Sequence, residues 1–122
     1  MAKTVLIGAS TNPDRYAYLA FHDLRDAGQE VVPISIKKGQ LDGIDFLDLR
    51  DKPKIDNVCT VTLYIGTRHI EQWLPYILSL KPKRIIMNPG TEHPAFLNLT
   101  QEEEPIEVIA GCTLVMLRTK TY

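Results

Sequence analysis

The chain has 122 residues, 44% hydrophobic and 24% charged, which is the size and composition of one folded domain spanning 1–122 and argues against disorder. Fourteen Lys and Arg against fifteen Asp and Glu leave a formal charge of −1. No overall field therefore draws the protein toward nucleic acid or an anionic membrane, and any anion site must be local.

Val5-Leu6-Ile7 is a short apolar run ending at Gly8, as expected of a strand buried on both faces in a parallel sheet. The opening, from Met1 straight into this run, offers no apolar stretch of signal-peptide or membrane-span length, so neither secretion nor membrane insertion is expected. Ala17, Ala20, Phe21, Leu24 and Ala27 then trace a helix stripe that Gly28 can terminate. Val31-Val32-Pro33-Ile34 is a second strand, with Pro33 pointing to an edge or a strand end. Residues 37–43 are turn-rich, and 44–53 can hold a brief strand around Phe46 followed by one helical turn. Val58 to Ile65 reads as a central strand closing at Gly66. Ile70, Trp73, Leu74, Ile77 and Leu78 mark a helix that Pro75 should kink, or at which it should begin. Arg84 to Met87 is a further strand leading into the turn signal Asn88-Pro89-Gly90, and Ile106 to Ala110 is the last. A helix is expected between these two strands, and the acidic run Glu102-Glu103-Glu104 reads as a solvated helix end or loop. The alternation predicts an α/β, doubly wound, mainly parallel sheet of about five strands.

In such a sheet a ligand sits outside the carboxyl ends of the strands, where strand order reverses. That rule selects the loops Gly8–Arg15, Ser35–Lys38, Gly66–Arg68 and Asn88–Gly90. In the first, helix-start amides, the Ser10 and Thr11 hydroxyls and the Arg15 guanidinium suit a phosphate. The same residues also fit a plain helix start, with Asn12 as N-cap and Pro13 at the first helical position. Asp14 adds a charge that a phosphate would oppose. The dinucleotide fingerprint G-x-G-x-x-G and its acidic residue after the second strand are both missing. Ser35-Ile36-Lys37-Lys38 stands there instead, and its two ammonium groups suit an additional phosphate such as those of NADP or coenzyme A, or are solvated turn residues.

His22, His69 and His93 have no partner at a metal-ligand spacing. Ser10 lacks the G-x-S-x-G elbow. Cys59 and Cys112 form neither a C-x-x-C motif nor a disulfide framework, which points to a reduced, cytoplasmic setting. Cys59 reads as a small core residue, and Cys112 is placed near the crevice.

The stretch from Val5 to Arg15, with Gly8-Ala9-Ser10-Thr11-Asn12-Pro13, resembles the opening of the small stand-alone CoA-binding-domain proteins, relatives of the amino-terminal domain of the succinyl-CoA synthetase α subunit. The similarity extends to Val31-Val32-Pro33-Ile34 and to a late cysteine, Cys112. The resemblance implies a Rossmann-like fold in which Gly8, Ala9, Ser10, Thr11, Asn12 and Arg15 cradle a pyrophosphate. It further implies that Ser35, Lys37 and Lys38 lie near the adenosine, and that Gly66, Asn88, Pro89 and Gly90 lie beside the pantetheine arm. Ser35-Ile36 replaces the Asn-Pro pair of many relatives, Gly111 replaces a polar residue before the late cysteine, and the synthetase's phosphohistidine domain is absent, so no ligase activity carries over. The expectation is a protein that binds coenzyme A or an acyl-CoA without turnover, with no nucleic-acid or membrane partner. The alternatives are an NADP-dependent or acyl-transfer enzyme using Cys112 or Ser10, or a partner domain whose site has decayed.

Overall fold

A computed structural model describes residues 2–96 and 106–122. β1 (Lys3–Ile7), α1 (Tyr16–Asp26) and β2 (Glu30–Ser35) open the chain, followed by a small hairpin of β3 (Gln40–Leu41) and β4 (Ile44–Asp45). β5 (Leu47–Asp48) runs into a single 3-10 turn, Leu49–Asp51, so the strand-then-turn expected of this segment is present. β6 (Thr60–Leu63), α2 (Thr67–Ser79), β7 (Arg84–Met87), β8 (Glu107–Ala110) and α3 (Thr113–Arg118) complete the described elements. The acidic run 102–104, and most of the segment where a helix was expected before the last strand, lie outside the described residues.

Six parallel strands form one sheet in the order β5-β2-β1-β6-β7-β8. Six strands agree with the expectation of about five together with a brief strand near Phe46, since β5, only two residues long, extends the sheet beyond β2. Alternation along each strand sorts the core into two layers. Val5 and Ile7 pack with Val61, Leu63, Ile85 and the Ile70 and Ile77 face of α2. Leu6 and Val31 pack on the opposite face with Ala17, Ala20, Phe21 and Leu24 of α1 and Leu114 of α3. Removing such side chains from water is the main source of stability for both layers, at about 25 cal/mol per Å² of apolar area.

Local chemistry explains where the elements depart from their sequence signals. Pro33 sits inside β2, which is second from the edge. The Ile34 carbonyl faces β1 and accepts from Gly8, so the amide that Pro33 lacks would point the other way, where β5 joins only at Ile34 and Ser35. Asn12 is not the helix cap. Its Oδ1 accepts the Asp14 amide and its carbonyl the Arg15 amide, a turn that delays α1 to Tyr16. Ala27 lies past the stripe as an exposed C-cap, and the Gly28→Arg25 and Gln29→Leu24 amide bonds close the helix. α2 neither begins at Pro75 nor ends there; it starts eight residues earlier at Thr67 and carries an exposed Pro75. The hairpin packs back on the first loop at Gly39, where an added Cβ would lie 2.9 Å from Thr11 Cγ2 and 3.0 Å from the Phe46 ring.

Candidate functional site

The sheet order reverses between β1 and β6, since β1 leads outward to β2 and β6 leads the opposite way to β7. A cleft of about 710 Å³ opens there, at the carboxyl ends of the strands, within the usual size of a small-molecule site. Its floor is Gly8. With φ at +101°, and with a Cβ that would fall 2.7 Å from the Tyr64 carbonyl oxygen, this position has no room for another residue. The Gly8 and Ala9 amides donate to the Ile34 carbonyl at 2.8 and 3.0 Å, and the Tyr64 amide to Ile7 at 2.8 Å. The loops after β1, β2 and β6 are thereby fixed to one another.

These bonds also decide which donors remain for a ligand. Gly8 and Ala9 spend their amides on the sheet, and the Asn12 amide donates to Ser10 Oγ at 3.1 Å. No side chain caps α1, whose amino end therefore presents free amides and a positive dipole beside Arg15. Gly8, Ala9, Ser10 and Arg15 line the cleft, whereas Thr11, Asn12 and Asp14 are exposed outside its lining.

From the β2 side come Ser35, Ile36 and Lys37, while Lys38 lies outside. The buried Ser35 hydroxyl accepts the Lys37 amide at 3.1 Å, which shapes the turn carrying the ammonium group. Leu49 and Arg50 join them from the turn after β5. Arg50 Nε and Nη2 donate to the two carboxylate oxygens of Asp48 at 3.0 and 2.8 Å, and this holds the Asp48 carboxyl below its ordinary range. Every charged side chain in the lining is cationic: Arg15, Lys37 and Arg50, with no Asp or Glu among the described residues. Tyr16 and Ile36, 72% and 57% exposed, add apolar surface beside these cations.

The opposite wall is Tyr64, Ile65 and Gly66 with one face of α2, His69, Gln72 and Trp73, closed by Pro89, Gly90 and Thr91. Gly66 caps α2 without a side-chain bond, so a second helix amino end faces this space. Thr67 Oγ1 donates to the Gly90 carbonyl at 3.0 Å and joins the loops after β6 and β7. Asn88 is not part of this wall. It is 2% exposed; its Nδ2 donates to Thr62 Oγ1 and the Leu63 carbonyl at 2.7 and 2.8 Å, and its Oδ1 accepts the Thr113 amide at 2.9 Å. Its side chain is a fully used brace between β6, β7 and α3. The nearby Tyr64 hydroxyl is buried with no partner among the described residues, and burial pushes its pKa up to about 12.

Cys112 does not line the cleft. It is the N-cap of α3 and packs in the α1–α3 layer, because the strand stops at Ala110 and the chain turns into a helix that the sequence pattern did not reveal. Ser10 does line the cleft, as does His69, whose Nε2 accepts from Arg68 Nε at 3.2 Å. Among the described residues no group of three His, Cys, Asp or Glu side chains could hold a metal ion.

Sequence reasoning missed Arg50 and the cleft-facing side of α2. The signal for Arg50 was a basic residue just past the brief strand expected around Phe46, but that strand was not assigned to the sheet, so the loop at its carboxyl end was not selected with the others. Trp73, one of the apolar positions that mark α2, is half-buried against the core while its remaining surface meets the cleft.

A family model described as the CoA binding domain matches residues 2–118. No curated protein matches the sequence. Among solved structures, a crystal structure of an uncharacterized protein is similar at 45% identity and a TM-score of 0.91, covering 100% of this chain and 98% of that one. A protein of Thermus thermophilus is 22% identical with a TM-score of 0.80, over 99% of this chain and 90% of its own. A conserved hypothetical protein of Pyrococcus furiosus is 23% identical with a TM-score of 0.76, over 94% and 98%. The last two likenesses concern the fold alone.

Proposed function

The chain belongs to the CoA binding domain family, and from that premise we propose that it holds coenzyme A or an acyl-CoA in the cleft at the strand-order reversal, acting as a binding module. The observation that carries this reading is the lining itself: three cationic side chains and no described carboxylate, in a chain whose formal charge is −1. Such a surface concentrates positive potential where it can seat a polyanion.

The ligand runs across the sheet. Its pyrophosphate rests at Gly8, Ser10 and Arg15, where the uncapped start of α1 adds amides and a helix dipole. Its adenosine lies toward Ser35, Ile36 and Lys37, with the exposed Tyr16 and Ile36 offering apolar contact to the base. The pantetheine arm passes Gly66 and Pro89–Gly90 along the Trp73 face of α2. A non-catalytic role is supported by the position of Cys112 in the helical layer and by the Ser10 hydroxyl accepting a loop amide rather than donating to a base.

Calorimetric titration tests the reading. Coenzyme A is expected to bind saturably, at millimolar affinity or tighter, and Arg15→Ala to weaken it by about tenfold through loss of a charge-assisted contact. Absence of saturable binding overturns the proposal.

A further inference from the structure

We propose that Arg50 and Lys37 form a clamp for a phosphomonoester carried on the ribose of the bound nucleotide, and that Arg50 decides whether the protein distinguishes ligands with that group from ligands without it. This rests on the nucleotide-binding reading above. Its starting point is a guanidinium that is already oriented. Two donors of Arg50 are occupied along one edge by Asp48, and Nη2 also reaches the Ile36 carbonyl at 3.3 Å. That last bond draws the fork from the β5 turn against the loop after β2. Nη1 is left with no acceptor among the described residues, on a side chain that is 63% exposed at the cleft margin.

The loop after the second strand is where this fold class meets the adenosine ribose. A carboxylate there accepts from a free ribose hydroxyl, and a cation there accommodates a phosphate on the ribose. Here Ser35-Ile36-Lys37 supplies no carboxylate toward the cleft, and the nearest acid of the β5 turn, Asp48, is committed to the edge of Arg50 away from Nη1. Arg50 and Asp48 together carry no net charge, so the fork supplies direction while Lys37 supplies the surplus positive charge. Both are required. The two N–H groups of Nη1 stay in the plane that Asp48 and Ile36 fix and can donate to phosphate oxygens, whereas an ammonium in its place has no second nitrogen to give Asp48 while it meets the phosphate.

A ribose phosphomonoester occurs in coenzyme A, at the 3′ position, and in NADP, at the 2′ position. The experiment titrates the full chain and its Arg50→Gln, Arg50→Lys and Lys37→Ala variants with coenzyme A, 3′-dephospho-coenzyme A, NADP and NAD. The clamp requires the natural chain to prefer coenzyme A over its dephospho form by about tenfold or more. Arg50→Gln and Lys37→Ala should each lower coenzyme A affinity by a larger factor than dephospho-coenzyme A affinity, and Arg50→Lys should restore only part of the loss. Because Arg50 is exposed, ligand-free melting temperatures of the variants should match that of the natural chain. Equal affinity for the two coenzyme forms, or equal losses for both in Arg50→Gln, overturns the clamp while leaving coenzyme A binding intact. Preference for NADP over NAD without coenzyme A binding supports the clamp and overturns the coenzyme A reading. Binding of none of the four ligands overturns both.

Discussion

Gly8 joins two constraints at one residue, a backbone conformation at φ +101° and a carbonyl oxygen 2.7 Å from where a Cβ would stand. The obstructing atom is backbone, so it cannot swing aside. Gly8→Ala is expected to cost about 2–4 kcal/mol, measured by denaturant unfolding, and to weaken ligand binding by displacing the loop after β1 from that after β6. Gly28→Ala is the control: φ is +85° but nothing lies within 4 Å of the added atom, so only the conformational cost of about 1–2 kcal/mol applies. Equal costs at the two sites would show that the close approach at Gly8 is without energetic weight. Other residues were harder to read from the chain. Asn88 follows a strand and precedes Pro-Gly, which marks a turn correctly, but nothing in a linear pattern tells that its side chain turns inward to satisfy Thr62, Leu63 and Thr113. The role of Arg50 depends on two bonds within its own turn and one to Ile36, a partner fourteen positions away.

Elements were legible where burial imposed a regular pattern. β1, β6, β7 and β8 are paired or packed enough to read as unbroken apolar or β-branched runs, and α1 carries its stripe on Ala17, Ala20, Phe21 and Leu24. α3 is six residues long, too short to repeat a helical period, and it was invisible for that reason. The start of α1 was misplaced because Asn12-Pro13 satisfies the preferences of a turn and of a helix cap equally well. Pro75 shows tertiary packing overriding local preference: Ile70 and Ile77 are fully buried on either side of it, and their burial carries the helix through. The proline leaves the Glu71 carbonyl without its helical donor on an exposed face. Pro75→Ala should therefore stabilise the protein by about 1 kcal/mol after allowance for the looser unfolded chain, raising the thermal midpoint by about 3–6 °C. An unchanged or lower midpoint would mean that α2 is shaped to the ring.

For the whole molecule, alternation of strands and helices was sufficient to specify a parallel sheet with two helical layers, because right-handed crossovers leave few other arrangements. It could not tell that the brief strand expected around Phe46 joins the sheet, which depends on one two-residue pairing with β2. The strand-end rule brought the loops of Arg15 and Lys37 to one opening, but the third cation, Arg50, reaches it only from the turn after β5. That gathering has a measurable signature. Ligand affinity should fall steadily as salt rises from about 0.01 to 1 M, where the screening length shrinks from about 30 to 3 Å. Affinity independent of salt would show that the cations do not act on the ligand. The contact of Gly39 with Thr11 and Phe46 has a consequence of its own. Gly39 lies outside the cleft lining, yet one extra methyl group on it would press on the Thr11 methyl of the first loop and on the Phe46 ring, which would have to shift to make room. Affinity can thus be retuned by evolution or by design from behind the binding surface, through a position that no inspection of ligand contacts would nominate.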